Sequence, residues 1–152
     1  MTDAAPDPFS LTRFVQAQDA GGSFAAALAE LRDGRKQGHW MWFVLPQVAG
    51  LGQSPTARHF AVTGLPEARA YLRHPVLGPR LLECVAALDG LAETDAAAVL
   101  GPVDATKLRS SMTLFELAAH AEGPEAARPF ARVLEHFFGG RRDRLTVGIL
   151  GR

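Results

Sequence analysis

The sequence predicts a mainly α-helical chain, folded as a single multihelical globular domain over residues 1–152. Three observations carry this. Apolar residues recur at helical spacing in segment after segment. Glycine and proline punctuate those segments at short intervals. Every gap between them is short, as connections within one compact domain are. No internal repeat or low-complexity linker divides the chain, and 152 residues is close to the commonest single-domain size.

The elements follow in order. Residues 1–6 read as a disordered tail. Asp7-Pro8 is a cap followed by proline at the first helical position. It opens a helix with Phe9, Leu11, Phe14 and Val15 on one face, ending near Gly21-Gly22. Ser23 caps a second helix, in which Phe24, Leu28 and Leu31 recur at i, i+4 and i+7 until Gly34 ends it. Residues 39–49 show neither period. Aromatic and β-branched residues lean towards extended structure, and Pro46 restrains Leu45 from the helical region. Gly50 and Gly52 mark a loop, and Ser54-Pro55 opens a helix with Ala57, Phe60 and Ala61 inward. Gly64-Leu65-Pro66 begins another, through Leu72, stopped by Pro75. A longer helix over 76–90 buries Leu77, Leu81, Leu82, Val85 and Leu88, with Pro79 in its first turn because an interior proline would cost about 3 kcal/mol. Thr94 caps a short turn to Leu100. Asp104 caps a helix through Ala121, with Leu108, Met112, Phe115 and Ala119 in phase. Gly123-Pro124 starts a helix to Phe138, which Pro129 either kinks or truly begins. After Gly139-Gly140, Leu145 to Leu150 packs back as a final helix.

Composition excludes several function classes. Lys plus Arg equals Asp plus Glu at 16 each, so no global field draws the chain to nucleic acid or an anionic membrane. The basic cluster Arg141, Arg142 and Arg144 is interrupted by Asp143 and reads as a solvated surface. One cysteine rules out an internal disulfide framework, and Cys84 lies in an apolar run as a buried, inert thiol. The N-terminus lacks a signal peptide's basic and apolar regions. No apolar run reaches the ~20 residues of a membrane span. The cytoplasm is the expected location.

The phosphate-loop and dinucleotide fingerprints are absent; Gly50-Leu51-Gly52 is only a turn-like fragment. The five histidines, 39, 59, 74, 120 and 136, show no metal-ligand spacing, so neither metal nor cofactor is expected. His74, before Pro75, reads as a hydrogen-bonded structural histidine.

The stretch Gly34-Arg35-Lys36-Gln37-Gly38-His39-Trp40-Met41-Trp42-Phe43-Val44-Leu45-Pro46-Gln47 resembles the hallmark of an uncharacterised bacterial family, domain of unknown function eighteen-ten. Further matches are Asp7-Pro8-Phe9, Arg13-Phe14, Ala17-Gln18, Gly50-Leu51-Gly52 with Ser54, Ala68 to Leu72, His74 to Gly78, Lys107 to Phe115 and Phe138 to Asp143. The resemblance covers nearly the whole chain and implies a mainly α-helical fold. It implies no activity. Some members carry the label calpastatin, but nothing in these residues supports calpain inhibition.

Two runs concentrate the chemistry. In the first, Trp40 and Trp42 lie beside Arg35, Lys36 and His39, with Gln47 following. If extended, the run puts both tryptophans on one side. If helical, it separates them by about 200° and brings His39 near Trp42. An aromatic wall with adjacent cations suits a planar, anionic ligand, such as a nucleotide or ADP-ribose-like compound. The plain alternative is an aromatic anchor in the core. In the second run, Lys107, Ser110 and Ser111 surround an apolar stripe, and their hydroxyls need partners. Those partners are either carbonyls four residues earlier or a ligand. Two functions compete: a small-ligand domain using Arg35, Lys36, His39, Trp40, Trp42, Gln47, Lys107, Ser110 and Ser111, and a non-enzymatic protein-interaction module. The first requires both runs to meet at one open cleft.

Overall fold

A computed structural model describes residues 6–151. The expected tail over 1–6 lies outside the described residues save for Pro6, which is exposed. Among the described residues ten α-helices follow one another: α1 Thr12–Asp19, α2 Ser23–Asp33, α3 Met41–Val44, α4 Pro55–His59, α5 Leu65–Arg73, α6 Leu77–Asp89, α7 Ala96–Leu100, α8 Pro102–Ala119, α9 Pro124–Phe138 and α10 Arg144–Leu150. Among the described residues there is no strand, only an isolated parallel bridge between Val48 and Val62. The mainly α, single-domain expectation holds.

α8 is the central element. It packs against α5, α7, α9 and α10, and from Ser110 to Glu116 every residue is buried. A helix covered on nearly all sides cannot be strongly amphipathic, which is why its apolar stripe is interleaved with hydroxyls. Around it a single core forms from Phe14, Leu31, Leu45, Tyr71, Leu77, Leu81, Leu88, Leu108, Met112, Phe115 and Phe130. Phe14, Tyr71, Phe115 and Phe130 run through it as a chain of aromatic contacts, with ring centroids 5.2 to 6.0 Å apart.

Several boundaries depart from expectation for local reasons. α1 begins at Thr12, not directly after Pro8. The Asp7 carboxylate reaches over a turn to accept the N–H groups of Leu11 and Thr12 at 2.7 and 3.0 Å. Asp95, not Thr94, caps α7, accepting from Ala97 N–H. α8 starts at Pro102 after Gly101, with Asp104 inside its first turn and its carboxylate engaged by two lysines instead of capping the backbone. Pro129 neither starts nor ends α9. The carbonyl its ring leaves unpaired belongs to exposed Glu125, where water can accept that role. Leu82 is 44% exposed rather than inward, being one helical step past Leu81.

Two polar hubs tie the helices to the loops. Arg13 donates to the carbonyls of Phe9, Ser10, His59 and Ala61 and pairs with buried Glu67 at 2.8 Å. Gln18 donates to Phe43 carbonyl and to Tyr71 Oη and accepts from Arg80. The Arg13 and Gln18 segments thus secure architecture. His74 does likewise: its Nδ1 accepts the N–H groups of Val76 and Leu77 at the start of α6.

A candidate ligand cleft between two chain segments

The 34–47 segment is shaped by one carboxylate. Glu30 Oε1 accepts the backbone N–H groups of Gln37 and Gly38 and the Trp40 indole N–H, at 2.6, 2.8 and 3.0 Å. Burial pushes the Glu30 carboxyl up. The two backbone donors, the indole and the Lys36 charge outweigh it and hold the carboxyl below its ordinary value. Trp40 is thereby drawn into the core at 3% exposure. Just after it the chain makes the short α3 turn, which carries Trp42 to the other side and leaves it half-buried. Of the two alternatives for this stretch, the helical one is realised.

α8 meets Trp42 from the far end of the sequence. Lys107 Nζ sits 3.9 Å from the Trp42 ring centroid, a cation–π contact. The same ammonium pairs with Asp104 Oδ1 at 3.1 Å, and Lys36 Nζ pairs with Asp104 Oδ2 at 2.9 Å. Burial raises the Asp104 carboxyl; the hydrogen bonds and charges of Lys36 and Lys107 overcome this and bring it below its ordinary value. Lys36 also donates to Gly38 carbonyl and lies 5.2 Å from the Trp40 ring. One aspartate between two lysines leaves a net positive trio.

Beside that trio opens a cleft of about 450 Å³, lined on one side by Trp42, Gln47, Leu51 and Gly52. α8 supplies Thr106, Lys107 and Ser110, and the start of α10 supplies Asp143 and Leu145. A small recess of about 80 Å³ adjoins it, sharing Trp42 and Lys107 and adding Lys36, His39 and Asp104. The loop wall is fixed by backbone hydrogen bonds: Val62 N–H donates to Gln47 carbonyl and Ala49 N–H to Val62 carbonyl, at 2.9 and 2.7 Å. Gly52 is required there, since a Cβ would come within 2.5 Å of Ala57 Cβ and 3.4 Å of the Trp42 ring.

The residues singled out from sequence therefore separate. Trp42, Gln47, Lys107 and Ser110 line the cleft, and Lys36 and His39 line the recess. Arg35 is exposed and lines neither. Trp40 is in the core. Ser111 is buried within α8, and its hydroxyl has no partner among the described residues. Asp104, Asp143 and Thr146 escaped sequence reasoning. Asp104 reads as a helix cap in the sequence, and nothing local marks Thr146, whose hydroxyl partner Ser110 lies 36 positions away.

The relatives agree with this architecture. Residues 8–150 match the model of the family described as protein of unknown function, DUF1810. The chain belongs to this family. A similar solved structure is that of the conserved hypothetical protein Rv1873 from Mycobacterium tuberculosis, 45% identical, with a TM-score of 0.87 over 96% of this chain and 99% of that one. No curated protein matches the chain. Among the described residues no helix is long and apolar enough to cross a membrane, and no group of three His, Cys, Asp or Glu side chains could hold a metal ion.

Proposed function

We propose that the cleft binds a small phosphorylated or nucleotide-like ligand, its planar or apolar part against Trp42, Leu51 and Leu145 and its anionic group at Lys107. One observation carries the reading. Trp42 and Lys107, 65 positions apart in the sequence, meet at an open hollow whose wall is a tryptophan under an ammonium group. Its volume is within the range of small-molecule sites. Lys107 has ammonium donors left beyond Asp104, so an anion can add to its partners without breaking the Asp104 pair.

The test is thermal melting with a panel of nucleoside mono- and diphosphates. A ligand at ~100 times its Kd adds about 2.7 kcal/mol, which raises the melting temperature of a chain this size by roughly 5–10 °C. Trp40→Phe leaves Trp42 as the only indole, so its fluorescence should follow the same titration, and Lys107→Met should abolish both responses. A flat melt across the panel, with unchanged Trp42 emission, overturns the reading.

A second reading has its own support. Val103, Leu145 and Val147 are 68%, 69% and 41% exposed; the first two line this cleft and the third follows on α10. A protein-interaction module would use that apolar rim. One stoichiometric complex in gel filtration, with no response to any phosphate ligand, favours it.

A further inference from the structure

The polar wall of the cleft has a fixed direction. Asp143 Oδ2 accepts both Thr146 N–H at 3.0 Å and Thr146 Oγ1–H at 2.6 Å. A carboxylate is acceptor-only, so both of these hydrogen bonds run into Asp143. The Thr146 hydroxyl has spent its only proton on Asp143. Ser110 Oγ, 2.9 Å from Thr146 Oγ1, must therefore donate to it. The relay runs from Ser110 to Thr146 to Asp143, and it uses up every hydroxyl proton along the way. Among the described residues no hydrogen bond engages Asp143 Oδ1. Asp143 and Ser110 both line the cleft. The Ser110–Thr146–Asp143 side of the wall offers acceptors only.

That polarity decides what can dock there. A phosphate would meet a carboxylate and lone pairs, so it is excluded from the Asp143 end and belongs at Lys107, one helical turn away from Ser110 on the same face of α8. The group at Asp143 must be a donor. In a nucleotide-like ligand whose phosphate sits at Lys107, the donors left for Asp143 are neutral sugar hydroxyls. Neutral hydroxyls fit, and the Gln47 amide, which no hydrogen bond among the described residues engages, can both donate to and accept from them.

Building on the proposed ligand cleft, we infer that Asp143 is its sugar-hydroxyl subsite, oriented by Thr146 and Ser110, so that the ligand is a ribonucleoside phosphate bearing a free 2′,3′-diol. Thr146 is a positioning residue and touches no ligand. The relay prevents Asp143 from rotating and keeps Oδ1 available.

The experiment is calorimetric titration of the full chain with AMP and UMP, their 2′,3′-dideoxy counterparts and inorganic phosphate. A hydrogen bond to a charged acceptor is worth about 1.5–3 kcal/mol, so the ribonucleotides should bind at least about tenfold tighter than the dideoxy forms. Asp143→Asn keeps a helix-capping side chain but puts an amide at the ligand-facing position, and should bring the ratio close to one. Thr146→Val, which removes the hydroxyl donor and leaves only the backbone N–H on the carboxylate, should lower the ratio as well; it serves if the Asn variant does not fold. Equal binding of ribo and dideoxy forms, or an unchanged ratio in the variant that folds, overturns the subsite and leaves the phosphate cleft standing. Silence from every nucleotide overturns both.

Discussion

Ser111 carries a hydroxyl that is buried in the middle of α8 without a hydrogen-bond partner among the described residues. Its neighbours solve the same problem in two ways. Thr113 Oγ1 donates back to the Arg109 carbonyl at 2.8 Å, and Ser110 donates across to Thr146. An unsatisfied buried polar group costs about 1–3 kcal/mol. Ser111→Ala removes the group and creates only a small void, so it should stabilise the protein by roughly 1 kcal/mol, read as a higher urea midpoint at unchanged slope. A lower midpoint would mean that the hydroxyl has a use. The two tryptophans show what residue-level reading can do. Their separation to opposite sides follows from helical geometry and was one of two alternatives left open by the sequence. Which one enters the core was not legible, because it depends on Glu30, ten residues away on another helix, accepting the Trp40 indole N–H.

At the scale of elements, most helices were legible because their punctuation is chemical. Ser54 accepts from Ala57 N–H in front of Pro55, and Gly34 and Gly139 end their helices at positive φ. The misplaced starts have different causes: Asp7 reaches over a turn before α1, Asp95 caps α7 in place of Thr94, and the Asp104 carboxylate serves Lys36 and Lys107 instead of the backbone. The loop over 47–52 matters more than its lack of regular structure suggests. Gly52 lets it pass between Ala57 and the Trp42 ring, and an alanine methyl has no rotamer with which to escape. Gly52→Ala should therefore displace the loop or tilt Trp42. The expected result is a loss of about 1–3 kcal/mol, the usual cost of overpacking, with a shifted Trp42 emission maximum in the Trp40→Phe background. Unaltered stability and emission would show that the loop yields freely and that the cleft wall is not preset.

Across the whole molecule, three carboxylates hold separate parts together and share one pH signature. Asp7 fastens the start of α1, Glu30 shapes the loop carrying Trp40, and Asp104 joins Lys36 to Lys107. Backbone donors at Thr12 and Leu11 lower Asp7 against a slight desolvation of its exposed side chain, and all three lie below their ordinary values of 3.8, 4.5 and 3.8. A group that binds its proton less readily folded than unfolded stabilises the fold fully above its ordinary value. That contribution disappears as pH falls through the lowered folded value. The acid limb of stability should thus begin below about pH 4.5 and steepen downwards. Glu30→Gln with Asp104→Asn removes two of the three contributions. At pH 7 the double variant should be less stable by roughly 1–3 kcal/mol for the Asp104 site alone, since two partly buried lysines lose their common counter-charge. Between pH 5 and pH 2, measured by denaturant midpoints, its curve should be distinctly flatter than the parent's. An equally steep limb would move the acid sensitivity to other carboxylates. The same charge balance bears on the cleft: as Asp104 takes up a proton, both lysines are released from it, and the Trp42 wall becomes a stronger anion site just as the scaffold behind it weakens.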